Sequence, residues 1–509
     1  MSTSPYILAH DLGTTGDKAT LFDADGHAVA STFEAYDTAY PRPCWAEQDP
    51  ADWQRALLQC TRRLLAQASI PAAEIAVVSF SGHMQGALMV DREGVPLRSS
   101  IIWADQRATS QAEWIGKICG QEDLYRLTGQ RASPAYTSAK VLWIRDNQPD
   151  LYRRAYKVVQ AKDYAAFTLT GVWATDYSDA AGTQLFDLRG RRWAEDLMGA
   201  LGLDMALFPE AYPSTTVIGR VTAEAAAATG LLAGTPVVIG GGDGACATVG
   251  AGSVREGDAY HYIGSSSWIA LTTSRPILDP QQRTFTFVHL DPALYFSVGT
   301  MQAGGGSYDW LERLWRDEGQ VALYQAMDAQ AATVPAGARG VLFLPHLLGE
   351  RSPYWNPLAR GAFVGLAMSH GRPELTRAVL EGVALTMRLI LDVLQGHGVQ
   401  IEAMRLIGGG AKSALWRQIL ADTYDLPILL PTLAAEATSL GAAVAGGVGV
   451  GIFAGFDVTH RLVPVREAER PDPARHRRYM VLYDLFRQTY AALEPIFEQL
   501  AMLDADVSL

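Results

Sequence analysis

The stretch YILAHDLGTTGDKATLFDADG, residues 6–26, joins an apolar run, a turn of Gly and Thr residues, and a second apolar run. A similar arrangement returns about half a chain length later in DAYHYIGSSSWIALTTSRP, residues 258–276. Short apolar runs bounded by glycine are typical of buried strands. Because the arrangement repeats at half the chain length, it predicts two similar lobes that meet near residues 251–257.

Three further apolar runs end in glycine, namely IAVVSFSG (75–82), PVVIGGGDG (236–244) and RLIGGGAKS (405–413). Helical patterns lie between the runs, as in WQRALLQCTRRLLAQA (53–68) and LTRAVLEGVALTMRLILDVL (375–394), where apolar residues recur at three and four. Strands that alternate with helices predict an α/β fold. With two lobes, the expected place for a binding site is the cleft between them.

The composition excludes several classes of protein. The chain has 509 residues, 49% of them hydrophobic, and a formal net charge of -12 without a basic run, so a nucleic-acid partner is not expected. Its four cysteines lack metal-ligand spacing, and they fit a reducing compartment; they are Cys44, Cys60, Cys119 and Cys246. The first residues show no signal-peptide pattern, so a cytoplasmic location is predicted.

Residues 437–456, ATSLGAAVAGGVGVGIFAGF, are uncharged over a length that could cross a bilayer. Their many Gly and Ala residues make the segment only weakly hydrophobic. Small side chains let neighbouring backbones approach closely, so we predict a buried, tightly packed helix and no membrane span.

Two turns rich in hydroxyl side chains have the chemistry of a phosphate-binding site. In HDLGTTG, glycines let backbone N–H groups point inward, Thr14 and Thr15 add hydroxyl donors, and Asp11 at the strand end could hold Mg²⁺. Taken alone, such a turn is equally a hairpin with a polar tip. GSSSW, residues 264–268, repeats the chemistry, and two facing turns could clamp the phosphates of a nucleotide.

Asp243 follows the run PVVIG and precedes a helix of small residues. It could cap that helix, or it could act as a general base that the helix N-terminus keeps ionised. The spacing of Gly242, Gly244 and Ala247 also satisfies GxGxxA. A dinucleotide site would need an acidic residue about twenty positions on, and that place holds HYIGSSS instead.

GGGAKS, residues 408–413, follows the run MRLI and opens an amphipathic helix. Ala411 stands before Lys412 where a phosphate-binding P-loop requires glycine, so this is not a P-loop. Three glycines and Ser413 could accommodate an adenosine, or they could form a tight strand-to-helix turn. Near the C-terminus, the pattern of residues 474–503 predicts a helix that packs on one lobe. A helix that mediates a homodimer is the alternative.

Together these segments resemble the FGGY carbohydrate kinases, a branch of the actin-like, ribonuclease-H-like ATPases, and most closely their xylulokinase branch. HDLGTTGDKATLFDADG is similar to the first phosphate motif and WADQRA (103–108) to the sugar-side segment. PAYTSAKVLWIRDNQPD (134–150) and GAFVGLAMSHGRPELTRAVLEG (361–382) resemble the two family signatures. The resemblance implies two actin-like lobes, divided as 1–252 and 253–509, with the active site in the interlobe cleft.

The resemblance also assigns roles to individual residues. It implies that Asp243 is the catalytic base and that Asp243 and Asp11 lie at the metal. Sugar contacts are implied for His83, Met84, Gln85, Trp103 and Asp243. ATP contacts are implied for Gly13, Thr14, Thr15, Lys18, Gly264, Ser265, Ser266, Gly409, Gly410, Ala411 and Ser413. The implied cofactors are ATP and Mg²⁺.

The sugar-contact element departs from the family pattern. SGHMQG, residues 81–86, stands where xylulokinases read Ser-Gly-Gln-Met-His-Gly, so His83 and Gln85 have exchanged places. Gly244 replaces the usual Asn after the base, and the first signature begins at Ala135 in place of its preferred residues. These departures spare the transfer residues and alter the recognition surface.

The sequence therefore predicts ATP-dependent phosphorylation of a terminal hydroxyl of a small sugar, with D-xylulose as the leading substrate. Alternatives within the class are another pentulose, a hexulose or a tetritol such as erythritol. Alternatives from another class are a nucleotide-dependent binding module on the actin-like fold and a sugar sensor.

Overall fold

The computed structural model describes residues 5–316, 323–432 and 436–506, which form two lobes, each built on a mixed seven-stranded sheet. In spatial order the N-terminal sheet contains Val217–Arg220, Pro236–Val238, Ile75–Gly82, Tyr6–Leu12, Gly16–Phe22 and Ala28–Ala35, and Gly241–Gly242 also pairs with Ile75–Gly82. The C-terminal sheet contains Phe285–Val288, Tyr295–Met301, Ser267–Thr273, Ala259–Ile263, Met404–Ile407, Ile428–Pro431 and Val465–Glu469.

The predicted repeat is present in the strand pairing. Tyr6–Leu12 pairs antiparallel with Gly16–Phe22 and parallel with Ile75–Gly82. In the other lobe, Ala259–Ile263 pairs antiparallel with Ser267–Thr273 and parallel with Met404–Ile407. Each lobe therefore places a hairpin beside parallel strands in the same order, and the predicted two-lobed α/β fold is confirmed.

Helices and small ribbons complete the lobes. The helices of the first half are Pro50–Ala68, Thr109–Cys119, Gln121–Thr128, Thr137–Asn147, Pro149–Arg154, Ala161–Thr170, Tyr177–Gly182, Glu195–Ala200, Ala223–Thr229 and Asp243–Gly250. Those of the second half are Gly305–Trp315, Tyr324–Ala332, Arg372–Gln395, Ala414–Tyr424, Ala437–Gly449, Thr459–Leu462 and Pro473–Asp506. Two-stranded ribbons pair Glu47–Gln48 with Ser100–Ile101, Leu88–Val90 with Lys157–Val159, Ala174–Asp176 with Glu210–Tyr212, Phe186–Asp187 with Arg192–Trp193, and Leu342–Pro345 with Gly361–Val364. Single 3-10 turns lie at Ala72–Glu74, Met205–Leu207, Ala338–Gly340, Gly409–Lys412 and Phe456–Val458.

Side chains on opposite faces of the strands pack into two different hydrophobic cores. Leu8 packs with Trp53 of the helix Pro50–Ala68 on the outer face of the N-terminal sheet, whereas its neighbour Ile7 enters a core on the inner face. Successive residues of a strand point to opposite faces, so both faces must be covered. The outer face of the C-terminal sheet packs on the helix Arg372–Gln395.

Two helices lie between the sheets and share the inner core. The helix Asp243–Gly250 packs against Ala437–Gly449, which also lies on strands of the N-terminal sheet although it belongs to the second half of the chain. The prediction of a buried, tightly packed helix for this segment is confirmed. Among the described residues, no helix is long and apolar enough to cross a membrane.

The C-terminal helix Pro473–Asp506 buries five aromatic side chains against the second lobe, namely Tyr479, Tyr483, Phe486, Tyr490 and Phe497. Its opposite side carries apolar residues that remain exposed, namely Val481, Leu485, Ile496, Leu500 and Leu503.

Candidate active site

Three neighbouring strands bring the proposed transfer residues to one edge of the N-terminal sheet. In the parallel register, Asp11 lies opposite Ser81, and Ser81 lies opposite Gly241. Asp11 and Asp243 therefore approach each other from the carboxyl ends of strands that flank Ile75–Gly82. Both carboxylates are half-buried.

The surroundings raise the pKa of both carboxylates. Burial and, to a smaller extent, the negative charge of Asp11 raise the pKa of Asp243 to about 7, although the Gly244 N–H, which donates to Oδ1 at 2.7 Å, opposes the rise. Burial raises the pKa of Asp11 to about 6, while the Ser81 hydroxyl lowers it. A carboxylate with a pKa near neutrality is well matched to accept a proton from an alcohol.

A pair of repelling carboxylates also suits a divalent cation. Among the described residues, no group of three or more His, Cys, Asp and Glu side chains is arranged to hold a metal ion. Mg²⁺ is commonly bound by one or two carboxylates together with phosphate oxygens and water. Asp11 and Asp243 fit that second arrangement, and their role at a metal stays a prediction.

The first hydroxyl-rich turn, residues 13–15, is held from three sides. The Gly13 N–H donates to the Gly16 carbonyl at 3.0 Å, and the Tyr36 hydroxyl donates to the Gly13 carbonyl at 2.6 Å. The exposed Trp103 donates its indole N–H to Thr14 Oγ1 at 3.0 Å. The predicted sugar-side Trp103 is thereby joined to a predicted phosphate-side threonine. Thr15 is exposed at the tip of the turn.

Lys18 links this turn to the second lobe. Its Nζ lies 3.5 Å from Glu436 Oε1, and Glu436 directly precedes the interlobe helix Ala437–Gly449. The lysine predicted to contact ATP therefore stands at the boundary between the lobes.

The segment SGHMQG lies beside the turn that leads into Asp243. Met84 packs so closely on the backbone of Gly242 that a Cβ there would lie 2.5 Å from Met84 Cγ. Gln85 adopts a left-handed backbone with φ 68°, and Lys140 Nζ donates to its carbonyl at 2.8 Å. This conformation is uncommon for a residue other than glycine. A buried lysine therefore stabilises the shape of the segment that is predicted to contact the sugar.

His83 is buried, and neither of its ring nitrogens has a hydrogen-bond partner among the described residues. Its ring packs edge-on against Trp53. Burial and the nearby Lys140 charge lower the pKa of His83 to about 4, so the imidazole is neutral at pH 7. It keeps one donor and one acceptor available.

A cavity of about 790 Å³ lies between the lobes beside Asp243. Gly244 lines it from the first lobe, and Gly409 and Ala411 line it from the second. The glycine turn begins at Gly408, where φ is 89° and a Cβ would lie 2.4 Å from the Ile263 carbonyl oxygen, so only glycine fits there.

A second cavity of about 510 Å³ lies on the other side of the same glycine turn. Five residues of the predicted ATP set line it together, namely Gly264, Ser265, Gly409, Gly410 and Ser413. The backbone of the hydroxyl-rich turn is fixed because the Gly264 N–H donates to the Ser266 carbonyl at 3.0 Å. The Ser413 hydroxyl accepts from the Trp416 N–H and so caps the helix Ala414–Tyr424.

Sequence reasoning missed the aromatic residues of these cavities. Tyr262 and Trp268 stack at 4.0 Å on the wall of the larger cavity, and they pair across the hairpin. Because the two residues stand at equal distances along the chain from Ser265 in the turn GSSS, the sequence could have predicted that they pair across the hairpin. Tyr308 and Tyr324 line the smaller cavity, but they come from separate helices and no local pattern joins them.

Replacing Asp243 by asparagine is expected to raise the melting temperature at pH 8. The pKa of Asp243 rises from 3.8 to about 7 on folding, so this carboxyl costs the folded state progressively more stability as pH increases from about 4 to 7. Asparagine removes that cost, and the gain should shrink towards pH 5. Thermal unfolding across this range measures it. Asp49→Asn, at an exposed helix cap, is the control, and equal melting temperatures at pH 8 would contradict the expectation.

The FGGY family of carbohydrate kinases matches both halves of the chain, with its N-terminal domain over residues 6–250 and its C-terminal domain over residues 259–450. The chain belongs to this family. This carbohydrate kinase is 32% identical to the xylulose kinase of Escherichia coli (strain K12) over 486 residues, which cover 96% of the chain and 99% of that protein.

Solved structures agree with this assignment. Gluconate kinase from Lactobacillus acidophilus superposes with a TM-score of 0.92 at 28% identity, covering 98% of this chain and 100% of that one. Xylulose kinase from Rhodospirillum rubrum superposes with a TM-score of 0.91 at 32% identity, covering 97% and 100%. The predicted family and the two-lobed fold are confirmed, and membership in this kinase family implies the use of ATP.

Proposed function

We propose that this carbohydrate kinase transfers the γ-phosphoryl group of ATP to a terminal hydroxyl of a small sugar, with D-xylulose as the first candidate and D-xylulose 5-phosphate as its product. The observation that carries the proposal is the position of Asp243, a carboxylate matched to general-base chemistry, on the wall of the interlobe cavity. The identity to a xylulose kinase over nearly the whole chain supports the choice of sugar.

In the proposed reaction, Asp243 accepts the proton of the attacking sugar hydroxyl. The oxygen of that hydroxyl bonds to the γ-phosphorus of ATP, and the bond between the γ-phosphorus and the leaving ADP breaks. When bound, Mg²⁺ would neutralise the phosphate charge, and Asp11 with Asp243 would hold it. Thr14 and Thr15 would contact the transferred group. The remaining contribution is alignment, because phosphoryl transfer depends mostly on positioning and electrostatic stabilisation.

The nucleotide is proposed to span the two cavities. Phosphates would lie towards Gly13, Lys18, Ser265 and Ser266. The adenosine would lie along Gly409–Lys412 and Ser413, where the smaller cavity offers aromatic side chains for stacking.

The sugar is proposed to lie against Met84, with Trp103 at its edge. The buried ring nitrogens of His83 have no hydrogen-bond partner among the residues that the structure describes, and the amide of Gln85 can both donate and accept. This element therefore offers polar groups to a small polyhydroxylated substrate. The exchange of His83 and Gln85 keeps another pentulose, a hexulose and a tetritol such as erythritol as alternatives. A gluconate kinase among the similar structures adds gluconate to the test.

The experiment is a coupled ADP-release assay with Mg-ATP against ketopentoses, ketohexoses, aldoses, polyols and D-gluconate. The highest kcat/KM with D-xylulose would support the proposal, and a higher value with another compound would replace D-xylulose. ATP turnover that needs no sugar would favour the nucleotide-dependent binding module. Silence across the panel would favour a sugar sensor.

Replacing Gln85 by histidine is expected to increase the preference for D-xylulose over other ketoses several-fold. Gln85 directly follows Met84, which packs on Gly242 beside Asp243. An imidazole ring in place of the amide therefore changes which hydroxyl or ketone oxygen of the sugar can be bonded. The ratio of kcat/KM values for D-xylulose and a ketohexose measures the effect. His83→Gln at the other exchanged position is the matched comparison. An unchanged ratio in Gln85→His would remove this interpretation.

We also propose a boundary between residues 252 and 253, supported by the family ranges that end at 250 and begin at 259. The interlobe helix Ala437–Gly449 would then be a second-lobe element seated on the first lobe. A cytoplasmic location and a homodimer stay predictions. Sedimentation of the purified chain tests the latter.

A further inference from the structure

A buried polar cluster lies directly behind the catalytic turn. Lys162 Nζ is 2.7 Å from Asp163 Oδ1, 3.0 Å from Asp176 Oδ1 and 3.3 Å from Asp179 Oδ2, and all four side chains are shielded from solvent. Burying a charge is costly unless it is paired and hydrogen-bonded, so a cluster of this kind marks a place where geometry is strictly held.

One member of the cluster is connected to the turn that carries Asp243. Asp176 Oδ2 accepts from the Ser178 N–H at 2.8 Å, from the Ser178 hydroxyl at 2.6 Å and from the Ser214 hydroxyl at 2.7 Å. The Ser178 oxygen in turn accepts from the Gly242 N–H at 3.0 Å. Because the one proton of the Ser178 hydroxyl goes to Asp176, its oxygen can only accept from Gly242. The direction of both hydrogen bonds is therefore fixed.

The same cluster reaches the sugar-contact segment. Lys162 packs on Gly82, where an added Cβ would lie 3.0 Å from Lys162 Cβ. Gln160, two residues earlier, accepts from the Gly86 N–H at 2.8 Å and donates to the Gly86 carbonyl at 3.1 Å. Residues 160–162 therefore contact both ends of the segment that would bind the sugar.

We propose that Ser178 is a positioning residue for Asp243, anchored by Asp176 and Lys162, and that it sets the catalytic carboxylate relative to the sugar-contact segment. This inference rests on the proposed function, because it assigns Asp243 the role of base. Ser178 bonds the backbone one residue before Asp243 and touches no reacting atom. Its effect would come through alignment, where displacement of a catalytic group by about 1 Å can cost up to about a hundred-fold in rate.

Ser214 provides a matched control, since its hydroxyl bonds the same Asp176 oxygen at nearly the same distance but does not contact Gly242. Ser178→Ala is expected to lower kcat by about ten-fold with KM for sugar and ATP within about two-fold. Ser214→Ala should stay within about three-fold of the unchanged enzyme, and Ser178→Thr, which retains the hydroxyl, should recover most of kcat. Equal kcat values for Ser178→Ala and Ser214→Ala would overturn the inference.

Hydrogen exchange gives a readout that needs no substrate. In Ser178→Ala the amide of Gly242 loses its acceptor, so peptides that cover residues 240–247 should exchange faster than in Ser214→Ala; equal rates would contradict the anchor. If Ser178→Ala does not fold, Ser178→Cys, which keeps only a weak acceptor, takes its place: its kcat should be lower than that of Ser214→Ala, and its 240–247 peptides should exchange faster. If the unchanged enzyme releases no ADP with any sugar, the proposed function fails, and hydrogen exchange alone decides the anchor.

Discussion

Replacing Asp243 by alanine is expected to lower kcat by about a hundred-fold or more, because the attacking hydroxyl then loses its only proposed base. Binding of sugar and ATP should remain nearly unchanged, since Asp243 is one of several predicted contacts and the others stay in place. Isothermal titration calorimetry and single-turnover transfer with the same preparation measure the two quantities.

The control is Asp49→Ala. Asp49 caps the helix Pro50–Ala68 by accepting from the Ala51 N–H, so its loss should reduce stability without reducing transfer. Asp243 is the first residue of its own helix and bonds the Gly244 N–H, which makes a structural role the natural competitor. Loss of ligand binding in parallel with loss of transfer would assign that structural role instead.

Replacing Gly441 by alanine is expected to destabilise the protein by roughly 3 kcal/mol. The helices Asp243–Gly250 and Ala437–Gly449 cross so closely at this residue that no side chain fits between them. A Cβ at Gly441 would lie 2.0 Å from the Cys246 carbonyl oxygen. The reciprocal contact is as close, since a Cβ at Gly250 would lie 1.7 Å from the Ala437 carbonyl oxygen. In each case the obstacle is helix backbone, which cannot rotate away as a side chain can.

Urea unfolding compares Gly441→Ala with Gly199→Ala. Gly199 also lies in a helix, but an added Cβ would meet nothing within 4 Å, so that change should be neutral or slightly stabilising. A change of less than about 0.5 kcal/mol in Gly441→Ala, the range typical of surface substitutions, would show that the helices can separate without loss. A large loss would establish this crossing as a rigid element of the cleft, next to the proposed base at the start of the helix Asp243–Gly250.

Much of the fold was readable because it follows local rules. The repeated pattern of strand, hydroxyl-rich turn and strand predicted two lobes, and the strand pairing bears this out. Small residues in residues 437–456 predicted a tightly packed helix, and Ala437–Gly449 is one. The place of Asp243 between a strand and a helix was also readable, because it depends only on neighbouring residues, and its role as a base stays a prediction.

The parts that could not be read depend on contacts between distant segments. The charge of Asp11 raises the pKa of Asp243 only because the strand Ile75–Gly82 brings the ends of their two strands side by side in the sheet. The sequence left open that His83 points inward to bond backbone, whereas its buried ring nitrogens have no hydrogen-bond partner in the described part of the chain.

The sequence by itself determined much of the pattern of strands, turns and helices, since periodicity and turn chemistry act over a few residues. Its resemblance to the family supplied the side chains that are proposed to perform phosphoryl transfer. The tertiary structure alone decided that Ser178 supports Gly242 from 64 residues away and that a helix of the second half covers the first sheet. Such pairings arise from burial and register between distant elements, and no local pattern of residues encodes them.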